Sequence, residues 1–183
     1  MVHPWVYPKF PWSRVHADFA VKEGKTLLIV VDSYSKWIEA EITKSQTAEE
    51  TVKVMRLMFA RWGLPDEVVT DNGPCFTAAP FKEFLKLNGV RHLLTPPYHP
   101  SSNGAAENAV KTVKNSLARQ VGRRGNFGEK ELAEFLLMYR STPHCTTGKT
   151  PAELHIGRRL TTRLSRVQPS DRNAVEEKQG SQA

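Results

Sequence analysis

The stretch that most constrains the fold is Thr26–Ser33, which reads TLLIVVDS. It is a nearly unbroken apolar run of strand length, and such a run suits a central strand buried on both of its faces. The segment before it, Arg14–Val21, alternates instead. Val15, Ala17, Phe19 and Val21 share one face and His16, Asp18 and Ala20 the other, so Asp18 lies opposite the most apolar side of a second strand. A Glu23-Gly24-Lys25 turn joins the two. Ser33–Lys36 turns the chain again, and Trp37–Thr43 (WIEAEIT) reads as a third, antiparallel strand.

Helical spacing begins at Thr47, where Thr47-Ala48-Glu49-Glu50 has the form of a capping box. Val52, Met55, Met58/Phe59 and Trp62 recur on one face, and Gly63 with Pro65 ends the helix. Glu67–Thr70 is a short strand that delivers Asp71 at its carboxyl end, where open α/β sheets place their ligand sites. Pro80 opens a helix buried through Phe81, Phe84 and Leu85 and stopped by Gly89, and Val90–Thr95 is a last strand. A turn-rich loop from Pro96 then runs into a helix from about Gly104 to Val121. Its apolar stripe is Ala106, Val110, Val113, Leu117 and Val121, with Glu107, Lys111, Lys114 and Ala118 beside it. Gly122–Gly128 reads as a linker, Glu129–Thr142 as an amphipathic helix, and Thr150–Glu153 as the cap of a short helix ending near Gly157.

Strands first, then strand–helix alternation, then further helices define an α/β layered domain: a mixed five-stranded sheet with helices on both faces. The expected organisation is an extended, ring-pinned lead-in over residues 1–13, a core over 14–157, and a basic, then mixed-charge tail over 158–183 whose end is disordered. Two cysteines, Cys75 and Cys145, form no disulfide framework and no zinc spacing, which makes a reducing, intracellular compartment the expectation. No segment approaches the ~18 apolar residues of a membrane span. The formal net charge of +7 favours a polyanionic partner.

Three carboxylates carry the candidate chemistry. Thirty-five residues separate Asp71 from Glu107, and fifty-two separate Asp18 from Asp71. Moving a phosphodiester bond requires an activated oxygen nucleophile and a stabilised leaving oxygen, which two divalent ions about 4 Å apart supply. Mg²⁺ takes few protein ligands and keeps several waters, so three acidic side chains suffice for a pair of ions shared with substrate phosphate. Asp18 would bridge the ions, with Asp71 and Glu107 each helping to hold one. Taken singly, each has an ordinary reading: a solvated strand residue, the opener of an Asp-Asn-Gly turn, and an acid complementing a helix N-terminus.

The combined motifs resemble the catalytic cores of retroviral and LTR-retrotransposon integrases, the gypsy-type elements above all. The matching pieces are His16-Ala17-Asp18-Phe19, Val31-Asp32 with Ser35-Lys36-Trp37, Gly63-Leu64-Pro65, Thr70-Asp71-Asn72-Gly73, and Pro97–Gly104 followed by Glu107. Tyr139–His144 and Thr150–Leu154 also match, and the resemblance runs from about Trp12 to Leu164. It implies an RNase H-like fold and a catalytic, metal-binding triad of Asp18, Asp71 and Glu107 that uses two Mg²⁺ or Mn²⁺ ions. The implied activity is trimming of element DNA ends and their transfer into target DNA, in the nucleus, by a homodimer or higher oligomer.

The resemblance also implies that Tyr98 and Asn103 meet the DNA end and that Lys111 and Lys114 grip terminal phosphates. A solvated helix face is the plain alternative for the two lysines. From Asn108 to Arg124 the chain holds Lys111, Lys114, Arg119, Arg123 and Arg124 and no acidic residue, which reads as a phosphate track. Arg158, Arg159, Arg163 and Arg166 form a second basic segment that reads equally as an ordinary tail. Asn108 and Val110 depart from the arginine and asparagine many integrases carry after the catalytic glutamate. No His/Cys zinc module stands upstream and no DNA-binding barrel or chromodomain downstream. These departures keep open an element-derived DNA-binding or structural protein without catalysis. A ribonuclease H of the same fold is a third reading, which the loop and helix around Glu107 disfavour. Asp32 is a further carboxylate near the sheet, read as a turn cap.

Overall fold

The computed structural model describes residues 6–95, 114, 115, 119 and 127–167. Five strands, β1 (Arg14–Lys22), β2 (Lys25–Asp32), β3 (Ile38–Thr43), β4 (Glu67–Thr70) and β5 (Arg91–Leu94), form one sheet in the order β3-β2-β1-β4-β5. The first three make an antiparallel meander, whereas β1 pairs with β4, and β4 with β5, in parallel. The sheet is therefore mixed, and its parallel half begins at β1.

The apolar run of β2 behaves as its composition requires, because its alternate residues enter two different cores. Leu28 and Val30, with Val15 and Ala17 of β1 and Val68 of β4, pack against helix α1 (Ala48–Trp62), the one-turn α2 (Pro74–Thr77) and α3 (Ala79–Leu87). Leu27, Ile29 and Val31, with Ile38 and Ala40 of β3, pack on the other face against α4 (Glu129–Ser141) through Leu132 and Phe135. Helices α5 (Pro151–Ile156) and α6 (Arg163–Val167) follow. Among the described residues no helix is long and apolar enough to cross a membrane.

Several local expectations change in detail. The Thr47 hydroxyl accepts the Glu50 amide, but the Glu50 carboxylate lies 3.6 Å from Lys53. At Thr150 the box closes both ways. Phe127, inside the expected linker, is buried in the second core and its amide donates to Glu23, so that stretch ends in an anchor. In the lead-in, Trp12 is buried and its indole donates to the Gly63 carbonyl, while Tyr7 and Phe10 stay half exposed. The helix expected over 104–121 and the chain end beyond Val167 lie outside the described residues, apart from helical Lys114, Asn115 and Arg119.

The edge at β3 is sealed by one buried acid. Glu39 accepts the indole N–H groups of Trp37 at 2.8 Å and Trp62 at 2.9 Å, and the guanidinium groups of Arg61 at 2.6 Å and Arg140 at 3.0 Å. Arg140 also donates to the Ile38 carbonyl and lies 4.2 Å over the Trp37 ring. Arg61 comes from α1 and Arg140 from α4, so a single carboxylate ties both helical layers to the sheet edge. Beside it, His155 of α5 stacks on Trp37 at 4.8 Å, with Trp12 and Trp62 packed edge-on. Replacing Glu39 with alanine leaves the two indole N–H groups and the half-buried Arg140 without their shared acceptor, and a loss of about 1–3 kcal/mol is expected, read as a lower urea midpoint at unchanged m.

A second prediction concerns acid. His16 of β1 is buried, and burial, aided by Arg14 and Lys36, lowers its pKa from 6.5 to about 4. The unfolded chain therefore binds a proton between pH 6.5 and 4 that the folded chain refuses. The contribution is fully present above pH 6.5 and is lost as pH falls towards 4, about 3 kcal/mol in all. An NMR titration should show a neutral His16 ring down to about pH 4, and His16→Gln should flatten that part of the stability–pH curve.

Candidate active-site cleft

Residue pairing between β1 and β4 runs Arg14↔Glu67, Val15↔Val68 and His16↔Val69. Parallel partners present their side chains to the same face. Continuing the register by two places brings Asp18 alongside Asp71, on the face opposite Val15 and Ala17. Both carboxylates line one cleft of about 170 Å³, whose other walls are Phe19, Gln46, Gly73, Pro74, Cys75 and Phe76.

Asp18 is held at mid-strand. Its Oδ1 accepts the Phe19 amide at 2.7 Å, and its Oδ2 accepts the Lys114 ammonium at 2.6 Å, with both side chains one-third exposed. Asp71 sits one residue past the end of β4, where its position depends on the turn. Its Oδ1 accepts the Gly73 amide at 2.8 Å, an Asx-turn, so the turn-opening role and the cleft-lining role coincide in one side chain. Glycine is needed at position 73 for space: a Cβ there would stand 2.9 Å from Asp71 Oδ1 and 3.4 Å from the Phe76 ring.

The end of β4 is braced from β5. The Thr95 amide donates to the Thr70 carbonyl at 2.9 Å, and the Asn72 side chain donates to the Thr95 carbonyl at 3.3 Å. The Thr70 hydroxyl donates to the Asp71 carbonyl at 2.9 Å and lies 2.8 Å from His92 Nε2. Having given its own proton to Asp71, that hydroxyl accepts from His92, which assigns the proton to Nε2. Burial, with Lys82 nearby, lowers the His92 pKa and keeps the ring neutral. Burial likewise raises the Cys75 thiol, so the cleft wall there is a protonated thiol.

Of the residues singled out from sequence, the structure brings Asp18, Asp71 and Lys114 together. Arg119 is helical and exposed. Glu107, Tyr98, Asn103 and Lys111 lie outside the described residues. Among the described residues no group of three His, Cys, Asp or Glu side chains could hold a metal ion; Asp18 and Asp71 are two. Arg158, Arg163 and Arg166 are exposed, and Arg159 pairs with Glu153 at 2.8 Å. Asp32 is fully buried, accepts the amides of Tyr34 at 3.2 Å and Ser35 at 3.0 Å and the Ser35 hydroxyl, and faces His155, as expected of a turn cap. His92 was not singled out, Thr70 and Gly73 entered only as parts of a matching motif, and Cys75 only as a cysteine without a partner. Their importance is spatial, and only the glycine of Asp-Asn-Gly carries a local signal.

The donor set fits a hard divalent ion. Two carboxylates share a half-open cleft, one already holds a cation at Oδ2, and the thiol is kept protonated. Asp71 has one oxygen committed to Gly73 and, among the described residues, no hydrogen bond on the other.

Fold and cleft together define an α/β protein of the RNase H-like class. Solved structures agree: the chain superposes on the catalytic core domain of BIV integrase with a TM-score of 0.66 at 25% identity, over 80% of this chain and 95% of that one. It also superposes on a chain of the simian T-cell lymphotropic virus intasome, with a TM-score of 0.73 at 23% identity over 88% and 59%. Residues 11–100 match the Integrase core domain family. An uncharacterized protein of Caenorhabditis elegans is 39% identical over 93% of the chain, and the Pol polyprotein of feline endogenous virus ECE1 is 33% identical over 92%. The chain spans 14% and 16% of the length of those two relatives. It belongs to the integrase core family of retroviruses and retrotransposons.

Substituting Gly73 with alanine must displace the Asp71 carboxylate, whose Oδ1 would stand 2.9 Å from the new Cβ. The expected result is a stability change below about 1 kcal/mol, because φ at Gly73 is −55° and open to alanine. Mg²⁺-induced stabilisation, read as a thermal shift, should fall sharply.

Proposed function

We propose that this chain is the core of a DNA strand transferase that trims the ends of element DNA and joins them to a target duplex. The observation that carries the reading is the side-by-side placement of Asp18 and Asp71 in a cleft of an integrase-family chain. Asp18, Asp71 and Glu107 would hold Mg²⁺ or Mn²⁺, and bound ions supply charge stabilisation and nucleophile activation at the scissile phosphate. The protein's own share is orientation. Phe19 and Gly73 amides fix one oxygen of each aspartate and leave the other for ligation. Lys114, Arg119 and, by family resemblance, Lys111, Tyr98 and Asn103 bind and place the DNA end.

Support for a metal-using, assembled enzyme comes from the relatives' own descriptions. One similar structure is the HTLV-2 integrase catalytic core domain in complex with magnesium, in trimeric form. Carried to this chain, the reading includes a homodimer or higher oligomer, since two DNA ends must be joined, and action in the nucleus, where the target duplex lies. Asn108 and Val110 favour the second reading, a DNA-binding core without catalysis.

Incubation with labelled element-end duplex and Mg²⁺ or Mn²⁺ should yield nicked and joined products. Asp71→Asn should reduce them by about 10²-fold or more, since even outer partners of metal ligands are worth 10–100-fold. Equal product from that variant would dismiss the enzyme. An inert DNA-binding core would instead bind the duplex yet show no Mg²⁺-linked stabilisation dependent on Asp18 and Asp71.

A further inference from the structure

We infer that Lys114 is an exchangeable counter-ion that guards the Asp18 half of the cleft, so that divalent ions load fully only when a DNA phosphate draws the lysine away. The inference deepens the metal-dependent reading above and rests on it.

The geometry is specific. Asp18 Oδ1 is committed to the Phe19 amide, which leaves Oδ2 as the oxygen for ligation, and Oδ2 is the atom Lys114 Nζ occupies at 2.6 Å. A divalent ion at Asp18 would use that less encumbered oxygen, and an ammonium group in contact with it opposes the ion twice. It competes for the same lone pairs, and its own charge repels the newcomer. Lys114 is nevertheless free to leave. Its side chain is one-third exposed, and a four-carbon stem lets the ammonium swing without backbone movement. Ammonium groups bind phosphate as point charges, so a phosphodiester entering the cleft offers an alternative partner. The segment Asn108–Arg124, with its basic residues and no acids, supplies the attraction that brings such a phosphate to this helix.

Asp18 and Asp71 contribute two negative charges to one cleft, and Lys114 is the cation paired there among the described residues. With the lysine in place the cleft holds a net single charge; with the lysine on a phosphate it presents both. Because coupling between two ligands is reciprocal, metal should tighten DNA by the same factor that DNA tightens metal.

The test uses the whole chain and Mn²⁺ alone, with free Mn²⁺ counted by electron paramagnetic resonance for wild type, Lys114→Gln, Lys114→Arg and Asp71→Asn. Lys114→Gln should bind Mn²⁺ roughly twofold to fivefold tighter, the scale of a partly exposed ion pair. Lys114→Arg, which keeps the charge, should resemble wild type, and Asp71→Asn should weaken binding in every background. By fluorescence anisotropy, the tightening of a short duplex by Mn²⁺ should shrink in Lys114→Gln. Equal Mn²⁺ affinity in wild type and Lys114→Gln, with both dependent on Asp71, would overturn the guard and leave the metal site standing. Weaker binding in Lys114→Gln, the sign expected of a lysine that merely holds Asp18 in place, would overturn it too. Absence of any Asp71-dependent Mn²⁺ binding would remove the metal-dependent reading itself.

Discussion

Parallel pairing of β1 with β4 is the constraint on which the rest of the molecule depends. An antiparallel neighbour would bring Asp18 opposite a residue further back in the β4 segment. The parallel register instead sets Asp18 beside Asp71, two places beyond His16↔Val69. Side chains alternate with a period of two, so a slip of one residue would turn Asp18 into the core that α1 and α3 cover. Packing prevents the slip. Val15 and Ala17 are locked into one core and Ala20 against the other, so β1 is gripped from both faces.

The two carboxylates are supported by different means because they occupy different parts of their strands. Asp18, inside a nine-residue strand paired on both sides, inherits its position from the sheet. Asp71, beyond a four-residue strand, does not. Its bracing is a set of short polar links through Thr70, Asn72, Gly73, His92 and Thr95. Thr95 is also the last described residue before the segment that leads to Glu107. The links that steady Asp71 therefore also hold Thr95 against the end of β4.

Local signals were enough for much of this. TLLIVVDS named an interior strand buried on both faces, alternation placed Asp18 on the less apolar face, and Glu67–Thr70 delivered Asp71 at a strand end. What eluded the sequence depends on distant partners. Phe127 sits among glycines and arginines, and nothing nearby marks it as a core residue; its pocket is made by β2, β3 and α4. Glu39 looks like the polar side of an edge strand until Arg61 and Arg140 arrive from two helices. Lys114 shares a helical stripe with Glu107, but periodicity says nothing of what lies across the cleft. Its partner is ninety-six residues earlier in the chain.

Counting donors separates the acidic residues that build this protein from those available for chemistry. Glu39 receives four donors. Glu67 is gripped by Arg14 and Arg91. Asp32 takes two amides and a hydroxyl. Glu153, with Arg159 and the Thr150 amide and hydroxyl, has its pKa lowered to about 2. Each is satisfied within the fold, and a charge so compensated has little left to offer a ligand. Asp18 and Asp71 stand apart, with one backbone amide apiece and a single lysine between them among the described residues. Two adjacent carboxylates with so few donors are stable only where water or a cation makes up the difference. Among the described residues, Asp18 and Asp71 carry that shortfall together at the end of the parallel seam, in one cleft with a single paired cation.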